Sequence, residues 1–126
     1  MIKIYTDAAV RPIDQQASAG CVIVTDQQQY QLKTALGPMD NHQAEFAAAI
    51  WGFEQLQTLQ LPPQIVMFYT DSRLVSDAIT KNYSHHYAQQ LALLNDQLDR
   101  FNPVVVQWIP DRDNQGAHHL ALQALS

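Results

Sequence analysis

Residues 64–71 read Gln64-Ile65-Val66-Met67-Phe68-Tyr69-Thr70-Asp71. The run before the aspartate is almost continuously apolar, the pattern of a strand covered on both faces. Pro62-Pro63 bounds it on one side. On the other, Asp71-Ser72 can cap a following helix over about residues 73–80. The closing tripeptide Tyr69-Thr70-Asp71 repeats one near the start of the chain, Tyr5-Thr6-Asp7. There residues 2–7 alternate as a strand, Ile2, Ile4 and Thr6 against Lys3, Tyr5 and Asp7. If the two strands lie parallel and adjacent, Asp7 and Asp71 stand side by side at the carboxyl ends, where open α/β sheets place their ligands.

Working outward, a polar loop is expected from Arg11 to Gln16, then a buried strand over 19–25 and a turn at Asp26-Gln27-Gln28. Residues 29–36 alternate Tyr30, Leu32, Thr34 and Leu36 against Gln29, Gln31, Lys33 and Ala35, as a half-exposed antiparallel strand does. Gly37-Pro38 ends it. From Asn41 to Leu59 the period turns helical, with Phe46, Ile50, Phe53 and Leu56 in one stripe. Glu45 lies on another face with Ala48, Ala49 and Gly52, small residues that let a helix approach a sheet closely. Tyr87, Leu91, Leu94 and Leu98 mark a further helix, and Val104 to Trp108 a further strand. A last helix starts near Asn114, with Ala117, Leu120, Ala121 and Ala124 inward. The order β-β-β-α-β-α-α-β-α predicts an α/β fold. Its mixed five-stranded sheet has three antiparallel strands, then two parallel ones, with helices on both faces. With no repeat, linker or low-complexity tract, residues 1–126 read as one domain.

Glu45, Asp7 and Asp71 are the candidate reactive group. A single aspartate after a strand is more often a turn or cap than a ligand, and a single helical glutamate is usually solvated. The three together carry the signal. Clustered carboxylates repel and stay ionised only beside a cation, and a hard ion such as Mg²⁺ prefers oxygen ligands. Two such ions about 4 Å apart can activate a water and stabilise the leaving oxygen in phosphodiester hydrolysis.

Composition limits the alternatives. The chain has 126 residues, a net charge of −5 and only seven Lys and Arg. That argues against a tight, nonspecific grip on many phosphates. Bound cations would offset part of the acidic site. Cys21 is the only cysteine, inside an apolar run, and reads as a buried structural thiol. No apolar stretch approaches the roughly 18 residues needed to span a membrane. The expected setting is cytoplasmic, with no obligate protein partner evident.

Taken together, the chain resembles the ribonuclease H type 1 family over about residues 1–125. The resemblance rests on Tyr5-Thr6-Asp7, the Gly20-containing strand, Asn41-His42-Gln43-Ala44-Glu45, Tyr69-Thr70-Asp71-Ser72, Trp108-Ile109-Pro110, and Asn114 through Ala121. It is similar to the shorter members, since the region from Lys81 to Arg100 has no Lys/Arg/Trp-rich insertion. The resemblance implies a ribonuclease H-like fold and cleavage of the RNA strand of an RNA–DNA hybrid with two Mg²⁺ or Mn²⁺ ions. It makes Asp7, Glu45 and Asp71 the metal-binding, catalytic carboxylates, with Asp7 bridging. Asn41 would read the minor groove, Ser72 would contact nucleic acid, and the RNA strand would be sensed through its 2′-hydroxyls; apart from the resemblance, the loop residue Arg112 is a candidate phosphate contact.

The chain departs from the family pattern in four places. His118 stands where a fourth aspartate is usual, making it a candidate fourth ligand or proton-handling group. Imidazole suits Mn²⁺ better than Mg²⁺, so a Mn²⁺ preference is expected. Ala8 stands where a glycine follows the first strand, and Ala9 to Ala17 contain none. Asp40 replaces a threonine and His42 a second asparagine. These changes leave two alternative readings: a hybrid-binding module with weak or no cleavage, and a phosphodiesterase acting on another nucleic acid.

Overall fold

The computed structural model describes residues 1–125. Its elements are β1 (Ile2–Val10), β2 (Gln16–Val24), β3 (Gln29–Pro38), α1 (Asn41–Thr58), β4 (Val66–Thr70), α2 (Arg73–Lys81), α3 (Ala88–Leu98), β5 (Val104–Trp108) and α4 (Gln115–Leu125), with a single 3-10 turn at Asp111–Asp113. The expected element order holds. The sheet runs β3-β2-β1-β4-β5. β1, β2 and β3 are antiparallel neighbours, while β4 pairs parallel with β1 and with β5.

The main core lies on one face of this sheet. Ile2, Ile4, Cys21, Ile23, Val66 and Phe68 from the strands pack with Phe46, Phe53 and Leu56 of α1, Val75 and Ala78 of α2, and Leu91, Leu94 and Leu98 of α3. Phe53 meets Phe68 edge-on, with ring centroids 5.1 Å apart, a favoured aromatic arrangement. The small-residue face of α1 does press on the sheet. A Cβ at Gly52 would lie 2.7 Å from Thr6 Cγ2. α4 takes the opposite face, where a Cβ at Gly20 would lie 2.0 Å from the Ala117 carbonyl oxygen. Helices therefore cover both faces. Cys21 is buried and free, and burial pushes its thiol up to about 12. Among the described residues no helix is long and apolar enough to cross a membrane.

Several strand boundaries differ from expectation. β1 continues past Asp7 to Val10, and β2 starts at Gln16, so the loop expected from Arg11 is a short turn. Without glycine to break the ladder, Ala8, Ala9 and Val10 pair with Ala19, Ser18 and Ala17. Asp14 secures the turn by accepting from Arg11 Nε at 3.0 Å and from the Gln16 N–H at 3.1 Å. β4 begins at Val66 rather than residue 64, because its ladder with β1 starts where Ile2 faces Val66.

Candidate active site

The repeated tripeptides are in register. In the parallel pair β1–β4, Tyr5 faces Tyr69 and Thr6 faces Thr70. The two tyrosine rings stack with centroids 4.7 Å apart. Asp7 and Asp71 follow directly, so both carboxylates leave the sheet at the same edge. Glu45 comes from the first turns of α1, whose start is held by a capping box. Asp40 accepts from the Gln43 N–H at 2.7 Å, and the Gln43 side chain returns a bond to the Asp40 N–H. Asp40 is thus a helix cap, a role its composition permits but which its place in the family pattern did not signal.

One oxygen each from Asp7, Glu45 and Asp71 lies within 4.8 Å of the other two. Asp7 is buried, and the other two are half-buried. Burial raises all three acids. It raises Asp7 although the His118 hydrogen bond and the Ala8 N–H favour the anion. It lifts Glu45 well above the usual range, helped by the charges of Asp7 and Asp71. It pushes Asp71 up to about 7, with Asp7 and Asp111 adding repulsion. A divalent cation fits this set: the donors are hard oxygens, mutually close, and each prefers a proton or a cation to bare charge.

The surrounding residues position the carboxylates. His118 Nδ1 lies 3.0 Å from Asp7 Oδ2, so its ring contacts the cluster through Asp7 and is not one of the three converging groups. Trp108 Nε1 donates to the Asp71 carbonyl at 3.1 Å, and the Arg73 guanidinium sits 3.7 Å over the same indole. Ser72 caps α2, accepting from the Val75 N–H at 3.2 Å. Asn41 is exposed as the first residue of α1, and Arg112 is exposed in the 3-10 turn. His85 and His86, to which the sequence assigned no role, meet edge to face with ring centroids 4.3 Å apart and are not among the converging groups.

The roles of two residues at this edge escaped the sequence reading. Asn114 is buried, and its Nδ2 donates to the Thr6 carbonyl at 2.9 Å, tying the start of α4 to β1 beside Asp7. Asp111 brings a further carboxyl to Asp71. Neither has a periodicity signal, because both lie in the irregular link between β5 and α4.

Comparisons with known proteins agree with this architecture. The profile of a family described as reverse transcriptase-like matches residues 5–124. The chain is 34% identical to EbsB of Enterococcus faecalis, provisionally named a hydrolase, over 99% of this chain and 94% of that protein. It is 30% identical to a ribonuclease H of Trichodesmium erythraeum, over 81% of this chain and 62% of that protein. Among solved structures, ribonuclease H1 of the archaeon Halobacterium salinarum superposes with a TM-score of 0.89 at 23% identity, covering 98% of this chain and 96% of that one. LC11 ribonuclease H1, solved in complex with an RNA/DNA hybrid, superposes with a TM-score of 0.85 at 25% identity over the whole of both chains.

Proposed function

The chain belongs to the reverse transcriptase-like family as a ribonuclease H-like hydrolase, and from that premise we propose that it cuts the RNA strand of RNA–DNA hybrids with divalent cations held by Asp7, Glu45 and Asp71. The observation that carries this reading is the convergence of the three carboxylates, two of them directly after the paired Thr6 and Thr70. The hybrid seen with LC11 ribonuclease H1 supports the choice of substrate. Two Mg²⁺ or Mn²⁺ ions at such a site supply charge stabilisation to the phosphoryl group and acidify an attacking water. The unit of activity is residues 1–126 acting as one domain.

The chain's own residues prepare that chemistry. Asp7 is held by His118 and by the Ala8 N–H, so it presents one fixed edge inward. Trp108 fixes the backbone of Asp71. Asn41 stands on the exposed rim at the start of the helix that carries Glu45, suited to reading a groove edge. Arg112 offers an exposed cation for phosphate. Ser72 contacts the nucleic-acid backbone only as far as its capping bond leaves the hydroxyl free.

The test is a cleavage assay on hybrid, duplex RNA and single-stranded RNA with Mg²⁺ and then Mn²⁺. Hybrid alone should be cut, and only with metal. Changes to residues behind metal ligands typically cost about 10–100-fold, so Asp7→Asn should lose more than about 100-fold while still folding. Wild-type turnover in that variant would remove the proposed role of Asp7. Binding of hybrid without cutting under either metal would leave a binding module.

A further inference from the structure

Arg73 stands where helix energetics do not favour it. It is the first residue of α2, directly after the Ser72 cap, and a cation at a helix N-terminus opposes the helix dipole. No acidic residue shares that first turn. Two carboxylates are nevertheless near along the chain. Asp71 is two residues back, a span of at most about 7 Å, and Asp77 is about one helical turn on. Among the described residues the guanidinium forms an ion pair with neither. It lies instead over the Trp108 ring, 3.7 Å from the centroid. That indole is itself fixed, since its Nε1 donates to the Asp71 carbonyl at 3.1 Å. Trp108 closes β5 and pairs with Thr70, the residue before Asp71. One face of the guanidinium is therefore covered and its N–H edge is left free. The side chain is exposed, at the strand ends beside the carboxylates.

We propose that Arg73 is a phosphate anchor: with its face on Trp108, its N–H edge holds a phosphodiester of the bound nucleic acid beside the Asp7–Glu45–Asp71 group. This rests on the reading that the chain binds RNA–DNA hybrid. A guanidinium presents parallel N–H donors that match phosphate oxygens, and stacking on an aromatic ring leaves that edge accessible. Trp108 already restrains the side chain, which lowers the rotamer entropy lost on binding. It also keeps the guanidinium from closing onto Asp71, which would cancel both charges. Lys and Arg number only seven along the chain, and Arg11 is taken by Asp14. One preorganised cation beside the site therefore weighs heavily in where a strand lies. The alternative is a purely structural contact between α2 and β5. Salt separates the two, because only a phosphate contact releases counterions.

Equilibrium binding of a labelled hybrid to the full chain carrying Asp7→Asn, followed by fluorescence anisotropy from about 50 to 200 mM KCl, tests this without a cleavage assay. Adding Arg73→Gln should weaken binding about tenfold at low salt, as loss of a charge-assisted hydrogen bond does. It should also flatten log affinity against log salt by about 0.9, one phosphate. Arg73→Lys should keep the slope and lose part of the affinity, because a point charge replaces the fork. Arg100→Gln removes the same charge from the exposed segment before β5, at the opposite end of the sheet, and should leave the slope unchanged. Unchanged affinity in Arg73→Gln, or weaker binding at an unchanged slope, makes the contact structural and overturns the anchor. An equal change of slope in Arg100→Gln reports net charge alone and also overturns it. Each of these results leaves hybrid binding standing. No binding of hybrid by the Asp7→Asn protein overturns both readings.

Discussion

His118 shows how a residue's neighbour decides its task. Its place in the family pattern makes it a candidate metal ligand, while its Nδ1 is within 3.0 Å of Asp7 Oδ2. A side chain that steadies a ligand changes affinity for every metal together; one that ligates changes the ranking of metals. We expect His118→Ala to lower Mg²⁺ and Mn²⁺ affinity alike, by about 10–100-fold, as loss of a supporting partner typically does. Titration of both ions against wild type and variant measures this. Selective loss of Mn²⁺ binding would instead make His118 a ligand and restore the Mn²⁺ preference expected from its imidazole.

At the scale of elements, the site depends on how closely α4 and α1 approach the sheet. α4 carries His118 and begins beside Asn114, and it crosses β2 at Gly20. A Cβ there would sit 2.0 Å from Ala117 O and 2.6 Å from Ala121 N. These are backbone atoms of a helix, which cannot move singly. Gly20→Ala should therefore destabilise by about 1–3 kcal/mol, the usual range for overpacking, as read by chemical denaturation. It should also lower metal affinity, since lifting α4 draws His118 from Asp7. Unchanged stability would mean that α4 packs less closely than described. Ser18, whose hydroxyl donates to the Ala121 carbonyl on the same helix face, helps to hold that approach.

At the scale of the whole molecule, the acidic cluster links stability to pH. Burial raises Asp7, Glu45 and Asp71, the last to about 7, while in the unfolded chain such groups titrate near about 4. Below that pH both states are protonated and the cluster carries no penalty. Above about 4 the folded protein holds protons that the unfolded chain has lost, so stability falls as pH rises, and the part due to Asp71 is complete above about 7. In chelator, the melting temperature should be lower at about pH 8 than at about pH 5.5. Mg²⁺ at about pH 8 should restore it by binding only the folded state. A chelated protein that melts higher at about pH 8 would refute the raised carboxylates. Charge also limits grip. Of the seven Lys and Arg, Arg11 is bound to Asp14. With about three phosphates contacted at about 0.9 each, log affinity for hybrid against log salt should slope no more steeply than about −3. A slope near −6 would reveal a basic surface that these residues do not form.

Much of this protein was legible in one dimension. The apolar run before Asp71 and the alternation in 29–36 identified strands by burial on two faces or one, since side-chain period follows backbone geometry. The doubled Tyr-Thr-Asp marked two strands that pair in register, though only the second copy closes its strand, and the small residues beside Glu45 marked a helix pressed to the sheet. Other features depended on contacts between residues far apart in sequence, which no local pattern encodes. That β1 runs on to Val10 was set by its ladder with β2. The cap at Asp40, the Asp7–His118 contact and the buried Asn114 at the β1–α4 joint came from helix placement. Asp111 lies 40 residues beyond Asp71 and beside it only because β4 and β5 are parallel neighbours. Periodicity reports which face of an element is covered. Which irregular turn reaches a strand end, and so which carboxylate meets which, is settled only when the sheet order brings those ends together.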